Sequence, residues 1–147
     1  MYEEKYMSAA LTLAREAFDC GEVPVGCVIV RSGEIIASGR NMREAKHSAL
    51  SHAETEAISA ACKELGDWRL GGCTLYVTLE PCPMCAGAII NARIPVVVYG
   101  AKDPAAGSCG SVINLFEENY GHRPAIFGGV MAAECGALLS EFFRKMR

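Results

Sequence analysis

Apolar positions fall along this chain in two rhythms, and the switches between them predict an alternating fold. From Glu3 to Asp19, Tyr6, Ala10, Leu13 and Ala17 recur at helical spacing, and Gly21 follows the end. Val25–Val30, "VGCVIV", is an unbroken apolar run of strand length, and "RSG" turns it into a second strand over Glu34–Arg40. Helical spacing returns over His52–Leu65 and stops at Gly66. Cys73–Leu79 reads as a strand, with β-branched Val77 and Thr78. Pro83–Ala92 reads as a helix whose proline sits in the first turn, where it is tolerated. Pro95–Gly100 is a further strand, Asp103–Ser111 a loop, Ser111–Asn119 a short helix and Ala125–Val130 a final strand. "AAECGALLSEFFRKMR" closes the chain as an amphipathic helix. A hairpin followed by alternating helices and strands predicts an α/β fold, a central mixed sheet with helices on both faces.

The totals narrow this picture. The sequence has 147 residues, half of them apolar, which suits one domain with one core over 1–147. No repeat or long linker interrupts it. No apolar run approaches the ~20 residues that span a bilayer. The opening "MYEEKYMSAALTLAREAF" is acidic and amphipathic, unlike a secretory signal, so the expected compartment is the reducing cytoplasm. Eight cysteines are then unlike a disulfide scaffold. Cys20, Cys27, Cys62, Cys73, Cys109 and Cys135 lie scattered, most of them expected as small buried hydrophobes. The net charge of −3 gives no general attraction for nucleic acid, so any such binding needs a local basic patch.

Cys82 and Cys85, in "LEPCPMCAGAII", carry the candidate chemistry. A Cys-x-x-Cys turn can be a redox pair, part of a metal site or core. There is no second such turn, and only His47, His52 and His122 are available as histidine ligands. A closed structural quartet is hard to assemble from these, although His47 or a remote cysteine could complete one. Three protein ligands and one open position remain, the pattern of catalytic zinc. His52 is the best third ligand, since it begins a helix as the cysteines do. Helix N-termini favour the two thiolates. Glu54 stands two residues on, roughly 200° around a regular helix, which keeps it out of the ligand set. From beside the site, its carboxylate is suited to general acid–base work on a metal-bound water. Taken singly, His52 could be a helix-start residue and Glu54 one more helix-face charge.

His-x-Glu followed by Pro-Cys-x-x-Cys is the signature of zinc nucleobase deaminases. "GEVPVGCVIV", "TLYVTLEPCPMCAGAIINARI", "VVYGAKDPAAGSCGS" and "ECGALLSEFFRKMR" extend the match over nearly the whole chain. The sequence resembles the bacterial tRNA-specific adenosine deaminases. The resemblance implies a cytidine-deaminase-like α/β/α sandwich around a five-stranded sheet, a homodimer, and conversion of adenosine to inosine at the wobble position of a tRNA anticodon, most often an arginine tRNA. It implies that His52, Cys82 and Cys85 hold one Zn²⁺ and that Glu54 shuttles protons. Asn41 would hydrogen-bond the base, Glu22–Gly26 with Val25 would wall its pocket, and Asp103 would contact the RNA from its loop. Asn41 and Asp103 also fit simple turn roles. The backbone N–H of Ala53, or of the cysteine turn, is a candidate to support developing charge. Phe142, Phe143, Arg144, Lys145 and Arg147 would offer aromatics and cations to the RNA, with Arg40, Arg43 and Lys46 near the pocket mouth. Phe142 alone reads equally as a core-facing helix residue. Two stretches depart from the family pattern: Ser48 and Ser51 precede the zinc helix, and Gly121 stands before His122 where many members carry Asn. His122 lies in a segment that helps hold the splayed loop in the family. Three other readings stay open: a free-base or nucleoside deaminase on the same fold, a non-catalytic zinc-stabilised RNA-binding module, and a redox protein using the cysteine pair.

Overall fold

The strand Gly26–Arg31 (β1) has no polar side chain before Arg31 because both of its faces are covered. Cys27 and Ile29 point to one side of the sheet, Val28 and Val30 to the other. A computed structural model describes residues 2–146. It places β1 between Glu34–Arg40 (β2) and Cys73–Leu79 (β3), antiparallel to both. Val96–Ala101 (β4) and Ala125–Phe127 (β5) extend the sheet in parallel, giving the order β2-β1-β3-β4-β5. Helices Ala53–Leu65 (α2) and Pro83–Ala92 (α3) cover one face, through Ala53, Ala57, Ala61, Ala86 and Ile89. Helices Glu4–Asp19 (α1) and Ala132–Lys145 (α4) cover the other, through Met7, Ala10, Leu11 and Cys135. This is the three-layer sandwich with a five-stranded mixed sheet expected from the sequence. No helix among the described residues is long and apolar enough to cross a membrane.

Two expectations need correction. Ser111–Asn119 is not a helix but a loop with one 3₁₀ turn at Leu115–Glu117, capped by Asn114 and anchored by buried Phe116. Its early backbone donors are spent elsewhere: Ser111 N–H goes to Glu80 and Val112 N–H to the Gly107 carbonyl. The last strand stops at Phe127 instead of reaching Val130. Gly129 takes a left-handed φ of +81°, and a Cβ on Gly128 would strike the Tyr99 ring. Elsewhere the ends shift by a residue or two, as helix and strand ends do. Arg147 lies outside the described residues.

Glycine fixes how closely α2 approaches the sheet. A Cβ on Gly39 of β2 would lie 2.5 Å from the Ala53 carbonyl oxygen and 2.7 Å from the Ala57 amide nitrogen. Both belong to backbone, which cannot swing aside. Gly39→Ala should therefore push the first turns of α2 outward and cost about 1–3 kcal/mol, the usual range for overpacking. Chemical denaturation checks the cost. Because α2 begins at His52, metal affinity should fall with it.

Candidate functional site

A histidine and a cysteine pair 30 residues apart in sequence meet just past the carboxyl end of β3. His52 is the N-cap of α2, and Cys82 is the N-cap of α3 with Cys85 one turn on. The His52 backbone N–H donates to Thr55 Oγ1, fixing the approach to α2 while the ring turns inward. Its Nδ1 lies 3.6 Å from Cys82 Sγ and 3.4 Å from Cys85 Sγ. All three ligand atoms fall within 4.8 Å of one another. Tetrahedral zinc, with Zn–S of about 2.3 Å and Zn–N of about 2.0–2.1 Å, sets N and S ligands roughly 3.6 Å apart. The donor set and its spacing therefore fit that ion.

Hydrogen bonds and burial within the cluster shift the acidity of its members. A hydrogen bond from Cys85 brings the Cys82 thiol down to about 4, burial working against it and the His52 hydrogen bond working with it. Cys85 is pushed far up by its hydrogen bond to Cys82 and by burial. His52 is raised, chiefly by its bond to Cys82. Burial pushes the Glu54 carboxyl up to about 7, and the Cys82 thiolate adds to the rise. Glu54 is 4% exposed, on the first turn of α2, and is not one of the three clustered ligands.

A cavity of about 220 Å³ opens over the cluster. Val23, Val25, Asn41 and Arg43 form one wall, Asp103 and Ala106 another, and His52, Ala53, Glu54 and Cys82 reach in from the helix starts. Asn41 Oδ1 accepts from the Arg43 N–H and Nδ2 donates to the Val23 carbonyl, leaving one donor and one lone pair on the amide. Asp103 Oδ1 accepts from the N–H groups of Ala105 and Ala106. The Ala53 N–H belongs to a first helical turn, whose amides have no partner within the helix.

Other residues singled out in the sequence lie elsewhere. His122 Nε2 is 2.7 Å from the Ile94 carbonyl oxygen and does not line the cavity. Phe142 is buried between Phe18 and Phe143, and lines an adjoining cleft with Met146 that shares Val23, Asn41 and Arg43 with the cavity. Arg40 does not reach the cavity, and Lys46 pairs with Glu56 on the surface. Ser51 accepts the Met42 N–H at its backbone carbonyl, and Ser48 Oγ accepts the Leu50 N–H, so both build the loop before α2. Gly121 has φ +80°, a conformation that Gly and Asn both tolerate. All eight cysteines are free. Cys27, Cys73 and Cys135 are buried as expected, and Cys20 is exposed.

Glu80 escaped the sequence reading, and Glu22 entered it only as one end of the Glu22–Gly26 wall; both are buried and build the site. Glu22 accepts from the N–H groups of Glu44 and Ala45, holding the wall that carries Arg43. Glu80 accepts from the N–H groups of Asp103, Cys109 and Ser111, holding the other. The available signal was an acidic residue set among apolar residues and prolines, in "GEVPV" and "LEPCP". Burial opposes ionisation of Glu80, but the hydrogen bonds from Ser111, Asp103 and Cys109 outweigh it and hold the carboxyl below its usual range. Its stabilisation is therefore complete above the unfolded pKa of about 4.3 and is lost as pH falls through the lower folded value. Glu80→Gln should cost about 1–3 kcal/mol near neutrality. The gap from the parent should narrow as pH drops below ~4, which urea unfolding at neutral and acid pH checks.

The MafB19-like deaminase family model matches residues 1–147. The chain belongs to this deaminase family. It is 51% identical over 146 residues to a tRNA-specific adenosine deaminase of Bacillus subtilis, covering 99% of this chain and 91% of that protein. A solved structure from work on A-to-I editing by tRNA:A34 deaminases at the wobble position superposes with a TM-score of 0.89 at 40% identity, covering 92% of this chain and 99% of that one. The guanine deaminase of Bacillus subtilis superposes less closely, with a TM-score of 0.67 at 39% identity over 86% of this chain and 84% of that one.

Proposed function

We propose that this deaminase converts adenosine to inosine at the wobble position of a tRNA anticodon, with one Zn²⁺ held by His52, Cys82 and Cys85. The observation that carries the chemistry is the three-ligand cluster with buried Glu54 beside it in one cavity. The 51% identity to a tRNA-specific adenosine deaminase carries the substrate. When bound, zinc supplies a water acidified toward neutrality. Glu54 takes one proton from the water that attacks C6 and passes it to N1 of the purine, then carries the proton of the new C6 hydroxyl to the amino group, which leaves as ammonia as the C6–N bond breaks. Asn41 offers its remaining donor and lone pair to the purine edge. Val25 packs against the base, and the Ala53 N–H supports developing charge.

An anticodon loop suits this cavity because its bases are already unpaired. Extruding one into a pocket costs least there, and splayed bases can stack on aromatics. In this reading Asp103, which lines the cavity, and the end of α4, with Phe142, Arg144 and Lys145, contact the RNA. His122 acts indirectly, by holding the segment after the 3₁₀ turn. An arginine tRNA is the expected substrate and the cytoplasm the expected compartment. Purified protein should yield inosine from a wobble-adenosine stem-loop, read by mass spectrometry of the digested RNA. Elemental analysis should find one zinc per chain.

The same reading includes a homodimer. One side of α3 packs on the sheet through Ala86, Ile89 and Ile90, while Met84, Gly87 and Ala88 are only half covered. Gly87, Ile90, Leu115 and exposed Tyr120 line a shallow groove on that side. Sedimentation at micromolar concentration should give twice the chain mass. A monomer throughout would remove this part of the proposal.

A further inference from the structure

Glu80 is 1% exposed, yet it lies two residues from Cys82 and takes no part in the ligand cluster. One oxygen accepts from the Asp103 N–H at 3.1 Å and from the Ser111 hydroxyl. The other accepts from the Cys109 N–H at 2.9 Å and the Ser111 N–H at 3.1 Å. An ionised carboxylate is acceptor-only, which matches four converging donors. Gly107 closes over the same group: a Cβ there would lie 2.4 Å from the Glu80 carboxylate. Two backbone bonds run alongside, Glu80 N–H to the Ala101 carbonyl and Ser108 N–H to the Pro81 carbonyl, both at 2.8 Å. Glu80 is thus joined covalently to the cysteine turn and by hydrogen bonds to the loop that brings Asp103 and Ala106 to the cavity wall.

We propose that Glu80 is a positioning residue for the deaminase, fixing the wall at Asp103 and Ala106 relative to the cysteine turn and thereby setting how the RNA nucleotide seats over the metal. This rests on the substrate reading above. Glu80 itself lines the cavity, but it acts through the loop, because its oxygens are committed to loop donors. Its loss should therefore weaken substrate binding more than the chemical step.

Glu80→Gln keeps the volume but turns an NH₂ group toward N–H donors. Gly107→Ala attacks the same contact from the loop side. Both variants should retain one zinc per chain and show faster amide exchange at Asp103, Cys109 and Ser111. For a wobble-adenosine stem-loop, KM should rise about tenfold or more with kcat within about threefold of the parent. Glu80→Asp, which keeps the charge on a shorter arm, should recover part of the loss. Ser111→Ala, which removes one donor of four, should change KM only about twofold. An unchanged KM in both Glu80→Gln and Gly107→Ala overturns the proposal. So does loss of zinc or of kcat at unchanged KM, which would put Glu80 in the service of the metal. Wild-type protein that leaves every stem-loop untouched overturns the substrate reading itself, and the zinc and exchange data distinguish that result from a failure of Glu80 alone.

Discussion

Glu54→Ala should lose turnover of the RNA by about 10²–10⁴-fold, the range for a positioned acid–base group, while keeping its zinc and its affinity for the stem-loop. The expectation follows from placement. Glu54 lies in the cavity beside the ligand cluster but outside it, so its removal leaves His52, Cys82 and Cys85 intact. Burial pushes its carboxyl up to about 7, the range suited to acid–base work near neutrality. Such a carboxylate contributes little to stability, so the variant should unfold no more readily than the parent. Glu54→Gln should be as inactive, because an amide keeps the shape and not the proton. Single-turnover deamination, elemental analysis and gel-shift affinity on the same preparation separate the three properties. Wild-type turnover in Glu54→Ala would mean that another group moves the protons.

Cys85→Ala should lose both metal and activity and should also loosen the fold. Cys85 is fully buried at the start of α3, facing His52 at 3.4 Å. Two ligands cannot hold zinc as three do. Metal binding in small structural sites is worth apparent energies of about 10–16 kcal/mol, part of which is folding energy. In the proposed site the ion would tie the start of α2 to the start of α3, so its loss should lower the melting temperature by several degrees, on the order of 1–3 kcal/mol of global stability. Chelation of the parent should reproduce the shift, and Cys20→Ala, at an exposed position, should leave both metal and stability unchanged. A Cys85→Ala protein that retains stoichiometric zinc would show that the cluster is not the metal site.

The layers of the sandwich were legible because their signals are local. Val25–Val30 reads as a strand covered on both faces, and Pro83 marks the start of α3, whatever the rest of the chain does. The region from 111 to 119 was not legible in the same way. Val112, Ile113, Leu115 and Phe116 suggest a helix by apolar content, but the backbone there bonds to Glu80, Gly107 and Ser108, contacts that no spacing rule reports. The metal cluster could be proposed from residue types and helix starts, and the fold then brings the three ligand atoms together. The bonds that hold the cavity walls could not, because they join Glu22 and Glu80 to backbone amides up to 31 residues away. His122 illustrates the limit of resemblance: its ring reaches the Ile94 carbonyl, one step removed from the cavity.

The central claim, a zinc deaminase acting on a wobble adenosine, is tested most directly by one comparison of substrates at equal concentration. An anticodon stem-loop with adenosine at the wobble position is set beside one with cytidine there, and beside free adenosine, adenine, guanine and cytosine. Structural similarity to a guanine deaminase makes guanine the informative rival. Inosine should form in the adenosine stem-loop, with ammonia release from the cytidine stem-loop and the free compounds at background. Robust release from guanine or another free base, with the stem-loop untouched, would contradict the RNA substrate and leave only the deaminase chemistry standing.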